Sequence, residues 1–285
     1  MPVLLTVLGS GSAGNATLLH EGESRVLIDV GLSCRETARR LGAIGVAPES
    51  VTAVVITHAH GDHTRGAGLF SRRYEAPVHA TEATRAVWPG PDVWSWGGLE
   101  CEAPADVGAF RITPFEVSHD AAAETVAFHI ETAAGGIGFA TDVGVTSAAL
   151  RSRFRRCRLL VMESNHAEDL LLVGPYSAST KARIAGERGH LSNEALARFV
   201  REDLGPSVEC LVLAHLSRVN NLPELAEMTC REALEASGRS DVRIVVTRQD
   251  RVTETVRLDA RGARPGAAAL SGRQIALPFQ MSATS

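Results

Sequence analysis

The order of hydrophobic and polar positions along the chain predicts a layered α/β protein. Near the N-terminus, apolar and β-branched runs at 4–8, 16–20 and 25–29 are separated by glycine-rich turns, which predicts three antiparallel strands. Further strands are predicted at 52–57, 77–80, 110–117, 125–131, 136–140, 158–162, 208–214 and 241–246, and helices at 33–41, after 63, after 81, from 147, and at 166–173, 177–188, 192–203 and 223–236. Both halves begin with strands and continue with strand–helix alternation, which suits helices on two outer faces.

The pattern continues without a linker or a low-complexity stretch from residue 1 to 258. We therefore predict a single domain over 1–258. The tryptophan, proline and glycine residues of 88–98 indicate a loop. The segment 259–285 is rich in glycine, alanine, arginine and serine without periodicity, so we expect a loosely ordered C-terminal tail.

Composition and charge narrow the class of protein. The chain has 285 residues, of which 45% are hydrophobic and 22% charged, as in ordinary globular proteins. The formal net charge of −4 argues against a generally basic nucleic-acid coat. No apolar run reaches the roughly 18 to 20 residues that span a bilayer, and no secretion signal is recognisable, so we predict a cytoplasmic protein without membrane contact. The five scattered cysteines contain no CxxC pair, which argues against a disulfide framework and a thiolate zinc site.

Four potential metal ligands fall within six residues, directly after the apolar run 53–57: His58, His60, Asp62 and His63. In an extended chain His58 and His60 lie on the same side, and Gly61 permits a turn that brings the next two ligands round. Imidazoles suit zinc, manganese or iron, and carboxylates help two cations share a small space. The alternative is a polar turn with solvated histidines, but a turn does not require this density of ligands.

Three later strands each end at a further potential ligand, namely His119, Asp142 and His215. Singly, each of these is more typical of a cap or turn residue. Because layered α/β proteins collect their chemistry at strand ends, one site can combine all three with the six-residue cluster.

The ordered set HxHxDH, His, Asp, His resembles the metallo-β-lactamase superfamily from about residue 3 to 247. The resemblance implies a four-layer αββα sandwich with a two-metal site between its sheets. It also implies that His58, His60 and His119 hold one cation, that Asp62, His63 and His215 hold the other, that Asp142 bridges them, and that Asp29 braces the motif turn as structural support. Two divalent cations, zinc or else manganese or iron, are the implied cofactors.

A second motif, Gly-His-Leu-Ser-Asn-Glu-Ala at 189–195, precedes a predicted helix. Backbone N–H groups at a helix start, with His190 beside them, could bind a phosphate oxygen or supply a proton to a leaving oxygen; a plain N-capping turn is the alternative. The segment resembles the histidine-serine motif of nuclease branches such as tRNase Z. Together with 9–15, 163–166 and 215–221, it most resembles the YycJ (WalJ) group, which is associated with 5′-to-3′ exonuclease activity on DNA.

The sequence hypothesis is therefore a two-metal phosphodiesterase, an exonuclease with nucleic acid, preferably DNA, as its partner and with catalytic roles for Asp62 and His190. Substrate contacts are predicted at Ser10, Ser12, His166, His190, Ser192, Asn193, Ser217 and Asn220. Two alternatives stay open. The same fold could hydrolyse a small phosphodiester or an acyl compound such as a thioester, or the metal site could be structural in a non-catalytic interaction module. The sequence does not indicate an oligomeric state.

Overall fold

A computed structural model describes residues 1–260 of the chain; residues 261–285, which contain nearly all of the predicted tail, lie outside the described residues. In chain order, strands β1 to β14 span Val3–Gly9, Ala16–Glu21, Ser24–Ile28, Ala53–Val55, Val78–Thr81, Trp96–Leu99, Ala105–Val107, Phe110–Val117, Thr125–Thr132, Gly135–Ala140, Cys157–Glu163, Cys210–Ala214, Arg243–Val246 and Val256–Leu258. Helices α1 to α9 span Cys34–Ala43, Gly61–Thr64, Ala67–Tyr74, Glu82–Ala86, Ala148–Phe154, Glu168–Val173, Ala178–Ala185, Asn193–Asp203 and Pro223–Ala236.

The strands form two mixed sheets of seven strands each. The first sheet has the order β14-β1-β2-β3-β4-β5-β6, and the second has the order β13-β12-β11-β10-β9-β8-β7. As predicted, β1, β2 and β3 pair antiparallel, whereas β3 to β6 run parallel. In the second sheet β7 to β10 pair antiparallel and β10 to β13 run parallel. Parallel neighbours require crossover connections, which bring successive strand ends to one edge of a sheet.

Three apolar clusters hold the layers together. The central cluster lies between the two sheets and includes Leu5, Val55 and Phe128, all buried. A second cluster packs α1 and α3 on the outer face of the first sheet, and a third packs α5, α8 and α9 on the outer face of the second sheet. The predicted four-layer αββα sandwich is therefore confirmed. Among residues 1–260, no helix combines the length and the apolar surface needed to cross a membrane.

The predicted loop 88–98 is wrong at its C-terminal end, because β6 begins at Trp96 and pairs in parallel with β5. Two of the four residues of this strand are glycines, which have a low strand propensity, so the sequence did not indicate a strand here. Gly97 is required by packing: a Cβ atom there would lie 2.2 Å from Nδ1 of His79 on the neighbouring strand. The sequence also missed β7 and β14, whose three residues are too few to show period-two alternation.

Candidate metal centre

The seven ligands implied by the sequence come together where strands of both sheets end. His58, His60 and His119 form one group whose ligand atoms lie within 4.8 Å of one another. A second group meets the same limit and consists of Asp62, His63 and His215. The structure thus brings together the same two sets of three that the sequence resemblance implied.

Asp142 lies between these two groups. Its Oδ2 atom is 2.8 Å from Nε2 of His63, and its Oδ1 atom is 3.4 Å from Nδ1 of His215 and 3.7 Å from Nε2 of His119. One carboxylate therefore contacts members of both groups. This is the position that a carboxylate shared by two cations requires.

Three of the site residues have left-handed backbone conformations, with φ values of 60° at Asp29, 55° at Asp142 and 54° at His215. Each follows closely on the end of a strand: β3, β10 and β12, respectively. Side chains other than glycine adopt this region at a cost, although aspartate and histidine do so more readily than most. The reversal of the chain at these points turns each side chain into the site.

The site has the properties expected of a metal centre. Among the described residues, Nε2 of His119, Nε2 of His215 and Oδ2 of Asp142 are buried without a hydrogen-bond partner; the contact of Asp142 with His63 is short but not aligned as a hydrogen bond. Each such group costs about 1 to 3 kcal/mol when it is left unpaired. Imidazole and carboxylate atoms aimed at a common space fit divalent cations, which would satisfy all three.

The electrostatics of the site favour positive charge. Burial disfavours a charged imidazole at His215, but the carboxylates of Asp142, Asp62 and Glu163 outweigh burial and raise its pKa to about 10. Burial likewise opposes ionisation of Asp142, yet His215 and His63 hold the pKa of this carboxyl well below its usual range. The carboxylates thus create a negative field that suits bound cations.

Asp29 supports the motif turn from behind. Its Oδ2 atom lies 2.7 Å from Nδ1 of His63, and its Oδ1 atom accepts a hydrogen bond from the backbone N–H of Thr57 at 2.9 Å. A carboxylate at Nδ1 directs the Nε2 atom of the imidazole toward the cluster, which is how many metal-binding histidines are oriented. Asn15 adds a contact of 3.0 Å between its Nδ2 atom and Nε2 of His63.

Glu163, at the end of β11, is a site residue to which the sequence analysis assigned no role. Its Oε1 atom lies 2.8 Å from Nδ1 of His190 and 2.7 Å from Nδ1 of His215. Its Oε2 atom accepts hydrogen bonds from the backbone N–H groups of Val143 and Leu191. Burial opposes ionisation of this carboxyl, but His190 and His215 lower its pKa to about 2.

His190 lies next to the metal cluster, with Nδ1 3.6 Å from Oδ1 of Asp142. Burial alone would lower its pKa, but Glu163 raises it. An imidazole in this position has one nitrogen fixed by a carboxylate, and its side chain is partly exposed. It can therefore exchange a proton with a bound molecule.

Ser10 lies in the glycine-rich loop 9–15 and supports the site, because its hydroxyl is not free to contact a substrate. The Ser10 hydroxyl accepts a hydrogen bond from the backbone N–H of His215 at 2.8 Å and donates one to Oδ1 of Asn15 at 3.1 Å. These two hydrogen bonds help to position His215 and also Asn15, which contacts His63. Ser12, from the same loop, is exposed.

The predicted substrate contact at Asn193 needs correction. Its amide is buried, accepts a hydrogen bond from Oγ of Ser164 at 2.7 Å and donates one to Oδ1 of Asn221 at 2.9 Å. Asn220 is buried as well, and Ser217 accepts the backbone N–H of Asn220. Asn193 therefore braces the loops around the site, because its amide is engaged by the protein itself, whereas Oδ1 of Asn220 is buried without a hydrogen-bond partner among residues 1–260.

Two open clefts, each of ≈ 570 Å³, flank the cluster. One is lined by His119 and Arg188, and the other by His166, His190 and Ser192. The Ser192 side chain also caps α8 through the backbone N–H of Ala195. Of the predicted substrate contacts, His166, His190 and Ser192 thus border one cleft.

Comparisons with known proteins agree with this architecture. The chain superposes on the crystal structure of the metallo-β-lactamase fold protein YhfI from Bacillus subtilis with a TM-score of 0.67 and 16% sequence identity, covering 90% of this chain and 100% of the other. The family model of the metallo-β-lactamase superfamily matches residues 9–215. The chain belongs to the metallo-β-lactamase superfamily.

Sequence relatives narrow the position within the superfamily. A Bacillus anthracis protein named exodeoxyribonuclease YycJ is 32% identical over 253 residues, which cover 84% of this chain and 91% of the relative. A Streptococcus pneumoniae protein named exodeoxyribonuclease WalJ is 32% identical over 233 residues, which cover 79% and 85%. The similarity places this chain in the YycJ/WalJ group. Family membership and the His/Asp cluster together assign divalent metal binding to the protein.

Proposed function

We propose that this protein is a two-metal exonuclease that removes nucleotides from DNA in the 5′-to-3′ direction. The observation that carries the proposal is the pair formed by His190 and Glu163 beside Asp142. Hydrolysis of a phosphodiester expels a sugar oxygen, which is a poor leaving group without a proton donor. The names of the relatives YycJ and WalJ support DNA as the substrate.

In the proposed site, His58, His60 and His119 would hold one cation, Asp62, His63 and His215 would hold the other, and Asp142 would serve both. Two divalent cations, whether zinc, manganese or iron, would lower the pKa of a water molecule and neutralise charge that develops on the phosphate.

The chain's own residues orient this chemistry. Glu163 accepts a hydrogen bond from Nδ1 of His190, which leaves Nε2 to give a proton to the leaving oxygen. The same carboxylate contacts Nδ1 of His215, so one buried group positions both the proton donor and a metal ligand. Proton donation of this kind contributes typically 10² to 10⁴ in rate, by order of magnitude.

A small phosphodiester or a thioester is the second candidate substrate. The observation that favours it is the net charge of −4, which limits non-specific attraction to DNA. Binding of a DNA strand should accordingly weaken steeply with salt. A DNA substrate also fits the cytoplasmic location that the sequence predicts.

The test is a time course on a 5′-phosphorylated single-stranded oligonucleotide that carries a label at its 3′ end, with manganese or zinc added. We expect stepwise shortening from the 5′ end. The Asp142→Ala variant, purified in parallel, should leave the oligonucleotide intact, which controls for contaminating nucleases. An intact oligonucleotide with metal-loaded wild-type protein would overturn the proposal in favour of a small substrate.

A further inference from the structure

The cleft beside His190 has the size of a small-molecule site. Its volume of ≈ 570 Å³ lies within the range of about 300 to 1,000 Å³ that is usual for ligand pockets. Residues of α6, α7 and α8 line it. Lys181 links two of these helices, because its Nζ atom donates a hydrogen bond to the backbone carbonyl of Leu172 at 2.6 Å.

The lining combines apolar and cationic groups. Leu172, Ala182 and Ala185 offer apolar surface, whereas Lys181 and Arg198 supply positive charge. A nucleotide has the matching parts, an apolar base face and an anionic phosphate.

Two carboxylates, Glu168 and Asp169, also border the cleft. Glu168 is already engaged, because its Oε1 atom accepts a hydrogen bond from Oγ of Ser192 at 2.9 Å. These carboxylates suit hydrogen-bond donors such as base amino groups, whereas a phosphate pairs with the cationic groups of Lys181 and Arg198.

His166 gives independent evidence that the cleft is built for a ligand. The residue is only 1% exposed, yet it lines the cleft, and its Nδ1 atom has no hydrogen-bond partner among residues 1–260. Its position is fixed through the backbone, since its carbonyl accepts the N–H of Asn193 at 2.8 Å. An unpaired buried nitrogen costs about 1 to 3 kcal/mol, which a polar ligand atom would recover.

The chemistry proposed above decides which nucleotide lies here. The oxygen of a water molecule bonds to phosphorus while the bond from phosphorus to O3′ breaks. The electron pair that remains on O3′ takes a proton from His190, and the proton that the water loses returns to His190 through solvent. The nucleotide that carries O3′ must then lie beside His190. In 5′-to-3′ cleavage this is the terminal nucleotide, and the next nucleotide keeps the phosphate.

We propose that this cleft binds the 5′-terminal nucleotide of a DNA strand, an inference that rests on the proposed function. The base packs against Leu172, Ala182 and Ala185, and the 5′-phosphate contacts Lys181 and Arg198. Binding of one nucleotide next to the proton donor makes the enzyme release mononucleotides from an end.

The test is a substitution that fills the cleft and leaves the implied metal ligands unchanged. Ala185→Phe places a ring in the cleft from an exposed position on α7, and Ala178→Phe on the same helix is the matched control, since Ala178 is also exposed but does not line the cleft. Both variants are assayed on a 5′-phosphorylated oligonucleotide and on bis(p-nitrophenyl) phosphate, a small diester without a nucleoside.

We expect Ala185→Phe to lower kcat/KM for the oligonucleotide by about tenfold or more relative to kcat/KM for the small diester, with all rates of Ala178→Phe unchanged. Equal values of kcat/KM for the oligonucleotide in the wild type and in Ala185→Phe would overturn only the assignment of the cleft and would leave the proposed function intact. Wild-type protein that cleaves the small diester but no oligonucleotide would instead overturn the proposed function, and the cleft assignment with it.

Discussion

Glu163 fixes the relative position of two histidines of the site, His190 and His215. A fully buried carboxylate is costly unless its lone pairs are satisfied, and here two backbone N–H groups and two imidazoles satisfy them. The structure therefore ties His190 and His215 to one rigid point. A change in the relative position of these two histidines would leave the buried carboxylate of Glu163 without some of its hydrogen-bond partners.

Replacement of His190 by alanine should separate catalysis from metal binding. We expect His190→Ala to lower kcat by about 10² to 10⁴ while the bound metal is retained, because the implied ligands do not include His190. Turnover on the oligonucleotide and metal content by elemental analysis measure the two effects. His129→Ala, a histidine of β9 outside the cluster, serves as the control; a His190→Ala enzyme with unchanged turnover would remove the proton-donor role.

Glu163 also shows where the sequence was insufficient at this scale. The ligands were predictable because imidazoles and carboxylates stood together in 58–63 or at strand ends. Glu163 also ends a strand, but it completes an apolar run without another ligand beside it, and its partner His190 is 27 residues away. An acid that continues a fully buried strand was the available signal, but only tertiary packing shows which groups pair with it.

Among the secondary-structure elements, α1 has a supporting role that reaches the metal site. Arg40 of α1 donates from Nη1 to the carbonyl groups of Leu8 and Gln249 at 2.6 and 3.0 Å. The side chain of Gln249 in turn accepts from the N–H of Ala13 and donates to the carbonyl of Gly14. This chain of contacts holds the glycine-rich loop that carries Asn15 next to His63.

Arg40→Met should therefore destabilise the protein more than its neighbour Arg39→Met. Both arginines pair with Glu36, but Arg40 is buried and Arg39 is exposed. Loss of Arg40 removes the donor to two buried carbonyl groups, which we expect to cost about 1 to 3 kcal/mol for each group, whereas an exposed pair contributes about 0 to 1 kcal/mol. Urea unfolding measures both, and equal midpoints for the two variants would contradict the argument.

Long elements of this fold are predictable from their sequence, whereas short ones are not. The long strands at 110–117 and 125–131 and the capped helices were predicted because their periodicity spans many residues. β6, β7 and β14 are short and are held by their sheet neighbours, so their strand character arises from tertiary pairing and not from local pattern.

In the whole molecule, the metal centre joins the two sheets. The cluster 58–63 follows β4 of the first sheet, while His119, Asp142 and His215 follow β8, β10 and β12 of the second. The sequence predicted the sandwich because ligand order indicated the superfamily. The central apolar cluster holds the sheets together over most of their area, but at this end polar ligands replace apolar contacts.

Removal of the metal should accordingly weaken the whole fold. Without a cation, buried ligand atoms from both sheets stay unpaired, whereas a ligand that binds only the native state adds about 4 kcal/mol at a thousandfold excess over its Kd. We therefore expect dialysis against EDTA to lower Tm by about 10 °C and added zinc or manganese to restore it. Calorimetry of wild-type protein and Asp142→Ala, each with and without EDTA, measures the effect: the variant, which lacks the shared carboxylate, should respond less. If chelation left the wild-type Tm unchanged while removing the metal, the cations would have no part in joining the sheets, and the apolar core alone would hold them together.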